Sequence, residues 1–379
     1  MKLEIFRGIR PGVAAALFLM LVTGFSMPRR LWAQETKEKV TVDDVERNFL
    51  VRLPKGFDAQ KKYPVVILLH GMNQDASDIE RLTMFDQLAD KNGIIAVYPV
   101  ALHGRWNVGV RPQVRQYSPM GPGRRRGGYG GGGYPGGGYP GGGGYPGGGQ
   151  QQPRSQQPDD DHSRSSSSET DDIGFFNQML DQLDSKFSAD SSRIYVAGLS
   201  EGGFMSMRAG CAISDRIAAV AAIGAAMPKT MICLPSRPVP LVMIDGTSDP
   251  VVPYGGGTEK NLSLNTLSVE DSAKAWGKID HCGEKPAHAK LPESKGAMEV
   301  KTDTYDGCGQ GAQVVLYSVK GAGNTWPGGE QYEAENAIGK TSPDLNANET
   351  IWNFLVTRKL DASKADASKS ESSTGSEQK

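Results

Sequence analysis

Ser200 stands at the centre of Gly198-Leu199-Ser200-Glu201-Gly202. A serine between small residues can hold a tight, strained strand-to-helix turn. Such a turn lifts the hydroxyl above a sheet, at a helix N-terminus whose N–H groups favour negative charge. The chemistry this predicts is acyl transfer with Ser200 Oγ as nucleophile and the Glu201 N–H facing the developing oxyanion. His70-Gly71-Met72 follow the apolar run Val65 to Leu69, where a second oxyanion donor belongs. The Met72 N–H is the candidate, with Gly71 allowing close approach, and His70 is read as ordering the loop through hydrogen bonds. Asp249 comes five residues after the run Leu241 to Ile244. A carboxylate just past the C-terminal end of a strand is placed to orient a base. Ser200 before Asp249 is the chain order of such hydrolases.

The elements that must position these residues alternate along the chain. Continuous apolar runs at Val65 to Leu69 and Ile94 to Tyr98 read as strands buried on both faces. Asn48 to Leu53, Arg193 to Ala197, Ile217 to Ile223, Leu241 to Ile244 and Val314 to Val319 read as further strands. Helical spacing covers Ser77 to Asn92, Asp171 to Phe187, Val269 to Ile279 and Asn346 to Leu355, and Phe204 to Ala212 is compatible with a helix. Strand and helix in alternation predict a mostly parallel central sheet with helices on both faces.

Four short motifs, in order, carry a resemblance. LLHG (Leu68 to Gly71), GLSEGG (Gly198 to Gly203), DGTSDPVVPY (Asp245 to Tyr254) and GNTWPGG (Gly323 to Gly329) resemble the secreted polyhydroxybutyrate depolymerase and feruloyl-esterase-like family of α/β-hydrolases. The resemblance runs over most of residues 44–358, and Asp171-Asp172-Ile173-Gly174-Phe175 resembles that family's helix entry. It implies an α/β-hydrolase fold and an ester hydrolase with Ser200 as nucleophile and Asp249 as the acid.

The chain departs from that family at two places. The resemblance puts the catalytic histidine directly before Thr325-Trp326-Pro327-Gly328, and this chain has Asn324 there. The family commonly has a histidine where this chain has Asp245. An amide oxygen accepts a hydrogen bond but does not hold a proton near neutral pH. Losing a triad base can cost on the order of 10⁶ in turnover, with ~10³–10⁴ over water remaining from binding and the oxyanion hole. The five histidines are His70, His103, His162, His281 and His288. His70, His103 and His281 are all open as substitute bases, as are the carboxylates Asp245 and Glu201.

The first 33 residues read as a signal peptide, with Lys2, Arg7 and Arg10 ahead of the apolar run Val13 to Phe25 and Leu31-Trp32-Ala33 as the cleavage region. The run falls short of the ~20 residues that span a bilayer. The alternative is an uncleaved anchor. The hydrolase domain is expected over 34–360, interrupted by a Gly/Pro/Tyr/Ser-rich insertion at 110–168. Of the chain's 48 glycines, 18 lie between Gly121 and Gly149. Such a segment cannot bury enough apolar surface to offset its ordering entropy and is expected to be disordered, as is the tail 361–379.

Export fits the four cysteines, Cys211, Cys233, Cys282 and Cys308. Of their three possible pairings, Cys211–Cys233 with Cys282–Cys308 closes the shortest loops and is the one expected. No Cys-x-x-Cys spacing and no ligand cluster points to a metal, and a serine relay needs no cofactor. A net charge of −1 gives no footprint for nucleic acid, and no membrane role beyond export is expected. The partner expected is an ester substrate, polymeric or small, met outside the cytoplasm, either secreted or periplasmic. The competing reading is a weak or inactive hydrolase-fold protein that binds a polyester or polysaccharide.

Overall fold

A computed structural model describes residues 34–109, 170–292 and 298–361. The signal-peptide, insertion and tail expectations fall outside these residues, apart from Asp361. Among these residues twelve strands run β1 (Glu35–Val42), β2 (Val45–Arg52), β3 (Tyr63–Leu69), β4 (Ile95–Pro99), β5 (Ala189–Leu199), β6 (Ala219–Ile223), β7 (Leu241–Gly246), β8 (Gly257–Thr258), β9 (Asn265–Thr266), β10 (Ala287–Lys290), β11 (Val300–Tyr305) and β12 (Val314–Val319). The helices are α1 (Ala76–Thr83), α2 (Phe85–Asn92), α3 (Asp172–Lys186), α4 (Glu201–Ala212), α5 (Val269–Ile279), α6 (Glu335–Ile338) and α7 (Ala347–Leu355).

Ten strands form one sheet in the order β1-β2-β4-β3-β5-β6-β7-β12-β11-β10. The six central strands from β4 to β12 are parallel, and antiparallel strands flank them on both sides. This is the sheet of an α/β-hydrolase fold. Alternation explains why the central strands read as unbroken apolar runs. Val65, Ile67 and Leu69 enter the core under α3, α4 and α5, while Val66 and Leu68 enter the opposite core under α1, α2 and α7. Each core holds a large anchor, Trp276 in the first and Trp326 in the second, both fully buried. Their indole N–H groups donate to Val239 O (2.8 Å) and Asn348 Oδ1 (2.9 Å), so neither buried donor is orphaned.

One expected helix is two. Ser77 to Asn92 breaks at Met84, which takes the left-handed conformation at φ 51°. The Thr83 hydroxyl donates to Ile79 O at 2.6 Å and accepts from Phe85 N at 3.3 Å, which bridges the break. The apolar spacing survives the break because Ile79, Leu82, Phe85 and Leu88 all stay buried against the sheet. The cysteines pair as Cys211–Cys233 and Cys282–Cys308.

Candidate active site

Ser200 follows the last residue of β5 and precedes the first residue of α4, at φ 56°, ψ −118°. A non-glycine residue there is strained, and the surroundings over-determine it. Its N–H donates to Ile223 O at 2.8 Å, and its carbonyl accepts from Gly203 N (2.9 Å) and Phe204 N (3.1 Å). The flanking glycines are steric necessities. A Cβ on Gly198 would lie 2.2 Å from Gly202 O, and one on Gly202 would lie 2.2 Å from Leu69 O. The elbow can close only with hydrogen at both positions. Gly202 thereby sets the start of α4 against the end of β3, where the Gly71–Met72 loop begins.

That loop is held from several sides. His70 is fully buried, its Nδ1 is 2.7 Å from Gly71 O, and its Nε2 accepts from Ala101 N at 3.0 Å. Nδ1 therefore carries the proton and donates to Gly71 O. Both ring nitrogens are spent on backbone, and burial lowers the ring's pKa. His70 thus orders the loop and holds no position for taking a proton from Ser200. The Gly71 N–H donates to Gln74 Oε1 at 2.9 Å. The Met72 N–H has no protein acceptor among the described residues, and Met72 lines the same cavity as Ser200. Trp106 Nε1 donates to His70 O at 3.0 Å, and the neighbouring Asn107 N donates to Asp172 Oδ2 at 2.6 Å. Asp172, at the start of α3, also takes Arg47 Nη2 of β2 at 2.5 Å, both side chains buried. Burial raises the Asp172 pKa despite the guanidinium. This pair fastens the helix entry to the loop over His70.

The acid loop leaves the end of β7. Asp249 Oδ1 accepts from Val251 N (2.7 Å) and Val252 N (2.8 Å), and Asp249 Oδ2 accepts from Asn324 Nδ2 at 2.7 Å. Burial raises its pKa to about 6 against these three donors. Asn324 is buried, and its Nδ2 donates a second bond to Gly224 O at 3.0 Å. Tyr332 Oη donates to the Asn324 carbonyl at 2.9 Å. The exit of β6 is the hub of the site. Ile223 O receives Ser200 N, Gly224 O receives Asn324, and Ala225 N donates to Asp245 Oδ1 at 2.9 Å. Asp245 is buried, and burial raises its pKa well above the usual carboxylate range. Its Oδ1 holds the Ala225 N–H, and Asp245 is not part of the lining of the cavity that Ser200 faces.

Ser200, Asn324 and Met72 share a cavity of about 350 Å³ whose lining also includes Asn73, Gln74, Lys260, Val251, Tyr332 and Ile338. The sequence-predicted Ser200, Met72, Asp249 and Asn324 are therefore brought together. Among the described residues no histidine lines this cavity. His103 is exposed near Asn73, His281 is exposed at the end of α5, and His288 pairs with Asp303 at 2.6 Å on the sheet edge. His162 lies outside the described residues. The Glu201 side chain turns away from the cavity, accepting from Arg105 Nε at 3.0 Å while buried, and burial raises its pKa to about 7. Its N–H begins α4. Tyr332, Gly224 and Lys260 were not singled out by sequence reasoning. They lie outside the motifs, and only the tertiary path of their loops puts them at the site.

The sheet order and serine elbow define an α/β-hydrolase. Residues 42–123 match a family model described as "Putative esterase", and residues 155–302 match one described as "Phospholipase/Carboxylesterase". Over 164 residues the chain is 32% identical to "Feruloyl esterase B" of Piromyces equi, covering 41% of this chain and 29% of that protein. Over 336 residues it is 23% identical to "Putative esterase NocK" of Nocardia uniformis subsp. tsuyamanensis, covering 86% of this chain and 83% of that protein. Among solved structures, "Acetyl xylan esterase from Aspergillus awamori" aligns with a TM-score of 0.46 at 12% identity, covering 76% of this chain and 94% of that one. The chain thus spans less than a third of the length of the feruloyl esterase it matches. The matched models and relatives are esterases, and the sheet and elbow are those of an α/β-hydrolase fold.

Proposed function

We propose that this chain is an exported serine hydrolase of carboxylic esters, acting through an acyl-enzyme on Ser200, with an amide in place of the usual imidazole. The observation that carries the reading is the strained Ser200 at the head of α4, sharing a cavity with Asn324, which donates to Asp249 at 2.7 Å. Ser200 Oγ attacks the ester carbonyl, and the N–H groups of Met72 and Glu201 take up the charge on its oxygen. Collapse of the tetrahedral intermediate expels the alcohol and leaves the acyl group on Ser200, which water then hydrolyses. The hydroxyl proton passes to water in the cleft, because the Asn324 amide is too weak a base to hold it. Turnover is accordingly slow.

The substrate class is an ester of a short hydroxy acid, as in polyhydroxybutyrate, or of a hydroxycinnamic acid on a polysaccharide. The ordered motifs support both, and the feruloyl esterase relative supports the second. Export is supported by the two disulfides. A second reading has one specific observation behind it. With Asn324 bonded to both Asp249 and Gly224 and no imidazole in the cavity among the described residues, the pocket could hold an ester without cleaving it. Incubation with a short-chain aryl ester followed by intact-mass measurement separates the two. Hydrolysis through Ser200 gives a mass increase of one acyl group, absent in Ser200→Ala. Saturable binding without acylation or product would favour the second reading.

A further inference from the structure

Backbone groups fix which end of two cavity amides is left for a substrate. A carbonyl only accepts, so the Asn324 atom 3.0 Å from Gly224 O is its nitrogen. The second hydrogen of that nitrogen goes to Asp249 Oδ2 at 2.7 Å. Asn324 therefore has only its carbonyl oxygen to offer. Gln74 lines the same cavity with the opposite polarity. A backbone N–H only donates, so the Gln74 atom 2.9 Å from Gly71 N is its oxygen. The two hydrogens on Gln74 Nε2 meet no protein acceptor among the described residues. Gln74 is half-buried, whereas the remaining side-chain N–H donors of the lining, Asn73, Lys260 and Asn261, are exposed.

Gln74 also closes the oxyanion turn on itself. Its own N–H donates to Gly71 O at 3.3 Å while its side chain holds the Gly71 N–H. Asn73, inside the turn, takes the left-handed conformation at φ 58° and donates its N–H to Gly104 O at 2.8 Å. The Gln74 amide lies against Gly71. A Cβ on Gly71 would meet Gln74 Oε1 at 2.9 Å and, at 3.7 Å, the carbonyl of Leu199, the residue before the nucleophile. Nε2 shares its carbon with Oε1, so it is held next to the turn that offers the Met72 N–H, on the side of the elbow. A donor anchored in this way needs no reorganisation when charge develops on a substrate oxygen.

We propose that Gln74 is a catalytic residue, its Nε2 donating to the carbonyl oxygen of the bound ester beside the N–H groups of Met72 and Glu201. This rests on the reading of acyl transfer at Ser200. Two variants separate the halves of the amide. Gln74→Glu keeps an acceptor for the Gly71 N–H and loses the donor. Gln74→Met stays neutral and loses both. The rate of Ser200 acylation by a short-chain aryl ester, followed by intact mass on the whole mature protein, should fall at least ~10-fold in each. Infrared difference spectra of the acyl-enzyme, with an isotope-labelled acyl carbonyl, read the donor itself. Losing a hydrogen bond raises the carbonyl stretching frequency, so the band should move up in both variants. A residue that only clamps the turn would slow Gln74→Met alone, and a mere charge effect would slow Gln74→Glu alone. Either result, or a band that does not move, would overturn the proposal. Ser200→Ala tests the underlying reading separately. Acylation that survives it would sink the esterase reading and this donor together, whereas Ser200-dependent acylation at the natural rate in both Gln74 variants would sink the donor alone.

Discussion

Asn324 Nδ2 donates to Asp249 Oδ2 at 2.7 Å, so the amide occupies the side of the carboxylate that would orient an imidazole. Among the described residues no imidazole stands beside Asp249 to be oriented. Asp249→Asn should therefore cost less than about tenfold in kcat/KM. In an Asn324→His background the same change should cost on the order of 10²–10⁴, as expected when a carboxylate sets a tautomer. A double-mutant cycle on aryl-ester hydrolysis reads the coupling directly. Additive effects would show that position 324 does not work through Asp249.

The elbow should tolerate no side chain at its glycines. Gly202→Ala would put a Cβ 2.2 Å from Leu69 O, which is backbone of a fully buried central strand and cannot give way. We expect a loss of at least ~2 kcal/mol in denaturant unfolding. Gly198→Ala, 2.2 Å from Gly202 O, should behave alike. A loss below ~0.5 kcal/mol at either site would mean that the elbow is looser than its geometry.

Glu201 predicts a pH dependence of stability. Burial raises its pKa from 4.5 to about 7 despite Arg105. The folded protein holds this proton more tightly than the unfolded chain. The resulting stabilisation is full below pH ~4.5 and is lost as pH rises through ~7. Glu201→Gln removes the ionisation, so it should match the natural protein near pH 5 and gain ~1–3 kcal/mol at pH 8.5. Thermal unfolding of both proteins at the two pH values checks this. A variant less stable at pH 8.5 would show that the Arg105 ion pair outweighs the burial of the charge.

The two disulfides close loops with sequence separations of 22 and 26 residues. Loop-closure entropy gives each ~3 kcal/mol. Replacing either pair with serines should lower the stability by about that amount, and a thiol reductant should lower the Tm of the natural protein. An unchanged Tm under full reduction would contradict the stabilising role.

How much of this was legible in the sequence follows from which signals are local. The buried parallel strands β3, β4 and β7 announced themselves because both their faces are apolar. The edge strands β1 and β10 did not, because ETKEKVTV and AHAK bury too little to carry a pattern. The break at Met84 was invisible for the opposite reason: the apolar spacing continues across it. Ser200, Met72, Asp249 and Asn324 sit in motifs with characteristic neighbours. Tyr332 on Asn324 O and Gly224 under its amide come from loops whose meeting only the folded chain decides.

The most direct test of the central claim is kcat/KM for a short-chain aryl ester, measured on the natural protein, Ser200→Ala and Asn324→His. An ester hydrolase site with an amide at the base position predicts slow, Ser200-dependent turnover in the natural protein and a rise of ~10²–10⁴ in Asn324→His. If Asn324→His folds and turns over no faster than the natural protein, position 324 is not where this site takes its proton, and the account is wrong.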